Sequence, residues 1–340
     1  MNDYALILRS VLNGTDLSAD DTARAIGAIM DETLSPVRSA ALLAALAAKG
    51  ETVDEIVGAA QAMRDRSVRV VHGLPLVIDV CGTGGDGAHT LNISTAAALV
   101  VAGAGVPVAK HGNRAASSAC GSADVLEALG VTLERSPAAS ARLLRTAKIT
   151  FLFAQYHHPA MRAVGPIRRE LGVRTIFNLL GPLTNPAGAT RQVVGVAAER
   201  HVDLLAAALR GLGAVAGAVV HAQSGLDEIA GDGPTRVAQF DRDGIRRWTL
   251  VPGDYGIAAS HADLRGGDAA ACAHALLTIL DGERSPRADV VALNAALALV
   301  VAGEAVDIPD GLARARASIE RGAARAALDA LRAAHEMEYA

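Results

Sequence analysis

Residues 1 to about 66 alternate apolar and polar positions with the period of amphipathic helices. Three stretches carry helix-start signals. SADD from Ser18 precedes TARAIGAIM, Ser35-Pro36 precedes VRSAALLAALAAKG, and Thr52-Val-Asp precedes EIVGAAQAMR. No strand pattern interrupts these segments, so the sequence predicts a small helical unit here.

From Leu74 onward, short apolar runs alternate with amphipathic segments. The runs PLVIDVC, VPVAK and KITFLFAQ are separated by NISTAAALVVAGAG and SADVLEALG. Arg-rich and Pro/Gly-rich segments interrupt this rhythm at 159–186, and it resumes with QVVGVAA, HVDLLAAALRGLG and AGAVVHA. Such alternation is typical of a mainly parallel sheet covered by helices.

The last third of the chain predicts a hairpin and then helices. Residues 235–251 place two strand-like runs around Asp243-Gly244, and we expect three helices near 268–281, 288–302 and 311–333. The fold class is therefore α/β: a small N-terminal helical domain and a larger α/β domain with a mainly parallel central sheet.

Composition excludes several classes of protein. With 51% hydrophobic and 20% charged residues, the chain is expected to be globular. A net charge of −4 without a basic run argues against a nucleic-acid or anionic-membrane partner. The longest uncharged run, Gly87 to Ala109, contains Asn92, Ser94 and Pro107, so it does not predict a membrane span.

The expected location is the cytoplasm. The first residues, MNDYALILRS, lack the charge and apolar core of a signal peptide. Cys81, Cys120 and Cys272 cannot all pair and lack metal-ligand spacing, which favours a reducing compartment.

The stretch Gly82-Thr83-Gly84-Gly85-Asp86-Gly87 follows a predicted strand and precedes a hydroxyl-rich helix start. Glycines permit positive φ and close approach of an anion to the backbone, and helix N-termini favour phosphate. A plain strand-to-helix turn with Asn92 or Ser94 as N-cap is the alternative. The spacing matches neither GxxxxGK[ST] nor GxGxxG.

Two further strand ends carry polar residues. VPVA runs into KHGNRAASSACGS, where Lys110 offers a charge for phosphate. AGAVVHA is followed by Asp227-Glu228, a pair that could hold Mg²⁺ or form a solvated turn. Because ligands of α/β sheets bind at the carboxyl ends of strands, we expect these loops to form one site. For Lys110 a solvated side chain, and for Ser122 an N-cap of ADVLEALG, are the alternatives.

The motifs GTGGDGAHTLNIST, KHGNRAASSACGSADVLEALG, HPAMRAVGPIRRELGVRTIFNLLGPLTNP and GLDE occur in this order. In them, and over nearly its whole length, the chain resembles the anthranilate phosphoribosyltransferases of tryptophan biosynthesis. The resemblance implies transfer of the phosphoribosyl group of 5-phosphoribosyl 1-pyrophosphate (PRPP) to the amine of anthranilate, with release of pyrophosphate and a requirement for Mg²⁺.

The resemblance also implies a nucleoside phosphorylase/phosphoribosyltransferase-like fold and a homodimer formed through the helical domain. We expect a helical domain at 1–70, joined in space by a helical segment near 165–190. The α/β domain then comprises 71–164 and 191–340.

Site residues follow from the same resemblance. The PRPP loop is expected at Gly82, Gly85, Asp86, Thr90, Asn92, Ile93, Ser94 and Thr95. The second PRPP segment is expected at Lys110, His111, Gly112, Asn113, Arg114, Ala115, Ala116, Ser117, Ser118 and Ser122. The anthranilate contacts are Gly82, Asn113 and Arg168, with His111, His158 and Pro182 lining the pocket. The metal ligands are Ser94, Asp227 and Glu228. No residue is assigned as a general base, and His111 is the candidate if one exists.

The sequence departs from the family after Gly266-Gly267-Asp268, where Ala271-Cys272-Ala273 stands in place of the frequent Glu-Asn-Ala; we assign this segment no role. Two other functions remain as alternatives. A pyrimidine nucleoside phosphorylase-like enzyme would share the fold, although KHGNR and Asp227-Glu228 count against it. A nucleic-acid-binding relative is disfavoured by the net charge of −4.

Overall fold

The computed structural model describes residues 3–115, 119–133 and 136–334. The chain begins with the expected helical unit. Its helices are α1 (Asp3–Leu12), α2 (Ala19–Met30), α3 (Pro36–Lys49) and α4 (Val53–Asp65). The Ser18 hydroxyl caps α2 by accepting from the Asp21 N–H, and Thr52 forms a capping box with Glu55. These helix starts are where the sequence predicts them.

A seven-stranded sheet forms the centre of the larger part, in the order β3-β2-β1-β4-β5-β6-β7. The strands are β1 (Ile78–Gly82), β2 (Val108–Gly112), β3 (Ile149–Phe153), β4 (Arg191–Gly195), β5 (Ala216–Ala222), β6 (Thr235–Phe240) and β7 (Ile245–Leu250). Strands β1 to β5 are parallel, and β6 and β7 form the expected antiparallel hairpin at one edge. The α/β fold class is confirmed.

Helices cover the sheet. They are α5 (Ile93–Gly103), α6 (Ser122–Ala128), α7 (Pro137–Thr146), α8 (Ala154–His157), α9 (Met161–Leu171), α10 (Phe177–Leu180), α11 (His201–Gly211), α12 (Ala269–Leu280), α13 (Pro286–Ala302), α14 (Ile308–Glu320) and α15 (Ala323–Ala333). Short 3₁₀ turns lie at Gly181–Leu183 and Pro252–Tyr255.

One helix prediction is wrong at the C-terminal end. The single helix expected at 311–333 is two helices, α14 and α15. Gly322 between them adopts φ 70°, a left-handed conformation that glycine tolerates and that ends the helical path. The amphipathic pattern continues across this break, which is why periodicity alone did not separate the two.

Helices α5 and α13 pack against each other and against the sheet. Every residue of α5 from Thr95 to Ala102 is buried. Such all-round apolarity is typical of a helix enclosed by protein. No helix within the described ranges is both long and apolar enough to cross a membrane.

Helix α9 and the segment after it pack against the N-terminal helices. Val164 and Phe177 belong to the same apolar cluster as Ile26 and Leu43. This is the contact that a helical domain completed by residues 165–190 requires, and the domain boundaries themselves stay a prediction.

The order of the strands changes direction between β1 and β4, and this leaves a crevice there. From β1 the strand order proceeds through β2 to β3 on one side, and β4 and β5 extend on the other. The loops that follow the strands therefore diverge at this point, which is where open α/β sheets bind ligands. The loops after β1, β2 and β5 are the three that the sequence marks as polar.

Candidate active site

The glycine loop, residues 82–92, leaves β1 through three left-handed glycines. Gly84, Gly85 and Gly87 have φ of 66°, 78° and 71°. Side-chain-bearing residues rarely adopt this conformation. At Gly82 a side chain would collide with the Asp227 carboxylate. The glycines thus serve both the turn and the close approach of the acidic loop.

Asp227 and Glu228 lie against the glycine loop and the start of α5. The Gly84 N–H donates to Asp227 Oδ2 at 2.7 Å, and the Ser94 N–H donates to Glu228 Oε1 at 3.1 Å. Desolvation, and next the Asp86 carboxylate, raise the pKa of Asp227. Desolvation and the charge of Asp227 raise the pKa of Glu228, while Lys110 opposes this. Two carboxylates this close are stabilised by an added cation.

This donor set suits Mg²⁺. Within the described residues, no cluster of three or more His, Cys, Asp or Glu side chains forms an all-protein metal cage. Mg²⁺ is usually bound through one or two carboxylates, with water and substrate phosphates completing its shell. Asp227, Glu228 and the Ser94 hydroxyl are the oxygen-bearing groups here that could serve such a site.

Lys110 is buried rather than exposed to solvent, with a relative accessibility of 3%. Its Nζ donates to the Val80 carbonyl at 2.7 Å and to Ser94 Oγ at 3.2 Å. An ammonium group has three donors, so one remains. The interpretation of Lys110 as a solvated surface lysine is wrong, because β2 buries it against β1 and the start of α5.

A buried network that the sequence analysis did not identify holds the end of β2. Asp79 is fully buried; it accepts from the His111 N–H at 3.1 Å and from Asn185 Nδ2 at 2.9 Å. Asn185 Nδ2 also lies 2.7 Å from the Ala109 carbonyl. Burial raises the pKa of Asp79, and the charge of Lys110 opposes that effect. The signal in the sequence was an aspartate inside the apolar run VIDVC.

The loop after β2 pairs its arginine with helix α6. Arg114 Nη1 pairs with Asp124 Oδ1 at 3.0 Å and with Glu127 Oε2 at 2.8 Å, both on α6. The Ala115 N–H donates to Asp124 Oδ2 at 2.9 Å. The predicted phosphate contacts of these two residues would therefore require them to exchange partners. Ala116, Ser117 and Ser118 lie outside the described residues.

Ser122 is the first residue of α6 and not its N-cap. Gly121 takes the cap position, and its N–H donates to Asp124 Oδ2 at 2.9 Å. The Ser122 hydroxyl instead donates to the Asn113 carbonyl at 3.2 Å, and a side chain at Gly112 would collide with it. The N-cap reading of Ser122 is therefore corrected, because the aspartate two residues on satisfies the helix start.

The remaining residues of the predicted PRPP loop lie around the start of α5. Asn92 is the N-cap residue of α5, but its side chain makes no capping bond; Nδ2 donates to the Cys120 carbonyl at 3.2 Å. Thr90 pairs with Arg265 in an isolated antiparallel bridge. Ile93 and Thr95 are buried, and Thr95 Oγ1 has no hydrogen-bond partner in the described chain.

His111 and His158 are buried side by side next to Gly181, and we call this cluster the histidine pocket. Their ring centroids are 5.0 Å apart. His111 Nδ1 lies 3.0 Å from the Gly181 carbonyl, which can only accept, so Nδ1 carries the proton and Nε2 is an acceptor. That Nε2 is buried without a partner in the described chain. Burial, and next His158, hold the pKa of His111 well below its usual range.

His158 resembles His111 in its surroundings. Neither of its ring nitrogens forms a well-aligned hydrogen bond within the described residues. Burial, with His157 next, lowers the pKa of His158 to about 4. Pro182 follows Gly181 directly and accepts from Gln192 Nε2 at 2.7 Å, which fixes this wall of the pocket.

Arg168 lies on α9, half-buried, with no carboxylate partner among the described residues. Burial, and next the charge of Arg174, lower the pKa of Arg168. Asn113 is exposed, and its Oδ1 accepts from the Arg114 N–H at 2.8 Å. Among the described residues, the predicted anthranilate contacts thus include a guanidinium without an ionic partner and a buried His111 Nε2 without a hydrogen bond.

Cys120 and Cys272 are brought together, which the sequence did not predict. Both are buried, and neither forms a disulfide within the described residues. A hydrogen bond between the two thiols lowers the pKa of Cys272 to about 6 and raises that of Cys120. This contact ties the end of the second loop to α12, in the segment where the sequence departs from its family.

Comparison with known families agrees with this architecture. A helical bundle domain of a glycosyl transferase family matches residues 5–67, and the a/b domain of that family matches residues 74–325. The chain belongs to this glycosyl transferase family.

Individual relatives and solved structures show which members of the family the chain is similar to. The chain is 50% identical over 332 residues to the anthranilate phosphoribosyltransferase of Rhodopseudomonas palustris, covering 97% of this chain and 98% of that protein. The Thermus thermophilus anthranilate phosphoribosyltransferase structure is similar with a TM-score of 0.92 at 42% identity, covering 97% of this chain and 99% of that chain. The Saccharomyces cerevisiae enzyme in complex with PRPP and Mg is similar with a TM-score of 0.90 at 26% identity, covering 98% of both chains. The resemblance noted in the sequence is confirmed.

Proposed function

We infer that the chain is an enzyme that transfers the phosphoribosyl group of PRPP to the amine of anthranilate, releasing pyrophosphate, in tryptophan biosynthesis. The observation that carries this inference is the meeting of three loops at one crevice. The acidic pair after β5 is hydrogen-bonded both to the glycine loop after β1 and to the start of α5, next to the histidine pocket at the end of β2. Relatives with this function cover nearly the whole chain.

The glycine loop is proposed to bind the pyrophosphate end of PRPP. Its left-handed glycines expose backbone amides, and the N-terminus of α5 adds a favourable dipole. Because displacement at the sugar carbon develops negative charge on the leaving group, amides fixed beforehand stabilise the transition state. Lys110 is proposed to act on this charge at close range, through its remaining donor and through Ser94.

Mg²⁺ is the proposed cofactor, held by Asp227, Glu228 and the Ser94 hydroxyl. When bound, the ion supplies positive charge to the departing pyrophosphate. The chain's own contribution is to hold two carboxylates together at an energetic cost, which the Gly84 and Ser94 N–H groups partly offset. The structure of the yeast relative contains PRPP and Mg, which supports the proposal.

The histidine pocket is proposed to receive anthranilate. Arg168, half-buried on α9, is proposed to bind the substrate carboxylate in a charge-assisted pair. The neutral His111 presents Nε2 as an acceptor for a hydrogen bond from the aromatic amine. The pKa of His111 lies well below its usual range, so His111 would not keep a proton taken from the amine at neutral pH. Its proposed role is therefore to orient the amine.

The alternatives have less support. Curated relatives at about half identity carry the transferase name, which does not favour the phosphorylase-like enzyme. The net charge of −4 gives no footprint for nucleic acid.

Anthranilate fluorescence provides the direct test. We expect it to fall only when PRPP and Mg²⁺ are both added to the purified chain, and to remain constant when either is left out or when EDTA is present. No loss with both present would contradict the function. Phosphate-dependent release of a free base from a pyrimidine nucleoside would instead identify the phosphorylase.

We also propose a cytoplasmic homodimer formed through the helical unit. Leu6, Leu12 and Val37 are exposed there, with relative accessibilities of 48%, 67% and 79%. Sedimentation of the wild type and of a Val37→Asp variant tests this. A wild type that sediments as a monomer would contradict the proposal.

A further inference from the structure

Arg174 spans two neighbouring carbonyl groups of the glycine loop. Its Nη1 lies 3.4 Å from the Gly85 carbonyl oxygen, and its Nη2 lies 3.5 Å from that of Gly84. The side chain is exposed, and within the described ranges it pairs with no carboxylate. The loop backbone is therefore the partner of this guanidinium.

Gly85 makes room for this contact. A Cβ at position 85 would collide with Arg174 Nη1, and the φ of 78° already disfavours a side chain. The absence of a side chain at Gly85 is thus required for Arg174 to reach the loop, in addition to the turn itself.

Peptide geometry links these carbonyls to two particular amides. In a planar trans peptide, the C=O and N–H groups point in opposite directions. The Gly84 carbonyl shares its peptide with the Gly85 N–H, and the Gly85 carbonyl shares its peptide with the Asp86 N–H. Neither N–H has an acceptor in the part of the chain that the structure describes.

The preceding amides of the loop are already used. The Thr83 N–H donates to the Gly195 carbonyl at 2.9 Å, and the Gly84 N–H donates to Asp227. The Gly85 and Asp86 N–H groups come next in the loop, and theirs are the peptides that Arg174 holds from the other side. Successive free amides of this kind form an anion-binding concavity.

We propose that Arg174 is a positioning residue for the transfer reaction: by holding the Gly84 and Gly85 carbonyls, it keeps the Gly85 and Asp86 N–H groups turned toward the pyrophosphate. This inference rests on the proposed function. It differs from the role given to Arg168, because Arg174 acts through the backbone of the loop and not on anthranilate.

Steady-state kinetics with Arg174→Ala tests the role. We expect kcat/KM for PRPP to fall roughly 5- to 10-fold, as for the loss of modest hydrogen bonds, because the loop amides bind the pyrophosphate group in the transition state as well as in the ground state. The KM for anthranilate should change by less than about twofold. Arg174→Lys should recover part of the loss, since an ammonium can donate to one carbonyl but does not match a fork. Arg169→Ala, an exposed neighbour on α9, is the matched control and should behave as wild type. Because Arg174 is exposed, the melting temperatures of all variants should agree.

Calorimetric titration of the protein with inorganic pyrophosphate in the presence of Mg²⁺ distinguishes orientation of the amides from direct contact between Arg174 and phosphate. If Arg174 orients the amides, the ratio of variant to wild-type Kd stays constant as salt is raised. A ratio that shrinks with salt would show direct charge contact with phosphate and overturn the proposal.

Two kinetic outcomes would also overturn it: PRPP parameters unchanged in Arg174→Ala, or an effect confined to the KM for anthranilate. A wild type that consumes no anthranilate would contradict the proposed function alone. In that case the pyrophosphate titration still decides the role of Arg174, because it requires no turnover.

Discussion

The two halves of the site differ in how completely their polar groups are paired. We call them the phosphate half and the anthranilate half. The phosphate half comprises the glycine loop, Ser94, Lys110, Asp227 and Glu228. The anthranilate half comprises His111, His158, Arg168 and Pro182. In the first, most of the charged groups bond to one another or to backbone. In the second, the Arg168 guanidinium and His111 Nε2 have no partner among the described residues, and the His158 ring nitrogens form no well-aligned hydrogen bond there.

The difference indicates two ways of preparing for a substrate. The phosphate half holds like charges together and fixes them with backbone donors, so it is set for a cation and an anion that arrive together. The anthranilate half keeps buried polar atoms unpaired, at a cost of about 1–3 kcal/mol for each such group. A planar substrate with an amine and a carboxylate would satisfy them.

The largest effect is expected from neutralising the acidic pair. Asp227→Asn with Glu228→Gln should lower turnover at limiting Mg²⁺ by roughly 100-fold. Folding raises the pKa of Asp227 above 3.8 and that of Glu228 above 4.5. The contribution of each carboxyl to stability is therefore fully present below these values and is lost as pH rises through its pKa in the folded state. The variant should therefore be at least as stable as wild type at neutral pH.

Melting curves with and without Mg²⁺ check this pair. Wild type should be stabilised by the ion and the double variant should not. Asp232→Asn, an exposed acid in the next turn, is the control and should respond as wild type does. A double variant that is still stabilised by Mg²⁺ would remove the metal assignment.

Arg168→Ala should give the next largest effect. We expect the KM for anthranilate to rise roughly 10- to 100-fold, because a charge-assisted bond to the carboxylate is lost. Steady-state kinetics against both substrates measures it, with the exposed Arg169→Ala as control. An effect on PRPP alone would contradict the assignment of Arg168 to the anthranilate half.

Lys110→Met should weaken both function and fold, in contrast to the acidic pair. The Val80 carbonyl loses a buried donor and Glu228 loses its nearby cation, so unfolding should become easier by about 1–3 kcal/mol. Denaturant unfolding and the KM for PRPP give the two readouts, with Lys148→Met as control. Lowered PRPP affinity at unchanged stability would mean that Lys110 acts only on the ligand.

The smallest effect is expected from His158→Phe, measured as the melting temperature at a series of pH values. The pKa of His158 falls from 6.5 to about 4 on folding. Its contribution to stability is therefore present above pH 6.5 and is lost as pH falls toward 4. The variant should lose less melting temperature than wild type over this window. Parallel curves for the two proteins would show that His158 does not titrate in the pocket.

Most helices and strands could be predicted from the sequence because periodicity and helix-start signals depend only on residues close together in the chain. Ser18 and Thr52 cap their helices as expected, and the alternation after Leu74 gives the parallel sheet. The failure at Gly322 has a local cause too, since one left-handed glycine ends a helix without changing the apolar pattern around it.

The candidate site was predictable where a motif is contiguous and less so where contacts join distant segments. The glycine loop and Asp227-Glu228 were predicted from their residue types and from their positions directly after predicted strands. Asp79 with Asn185, Cys120 with Cys272, and Arg174 over the glycine loop were not, because no spacing in the chain encodes their meeting.

By itself, the sequence determined the class of fold, the order of its elements, the loops that carry the chemistry, and the family. Only the tertiary structure decided which way the charges face. It buried Lys110 against β1 and the start of α5, and it paired Arg114 with α6. It also left Arg168 and His111 with groups that have no partner among the described residues. The physical reason is that periodicity fixes which face of an element is apolar, whereas the partner of a polar side chain is set by the packing of strands and helices far apart in the chain.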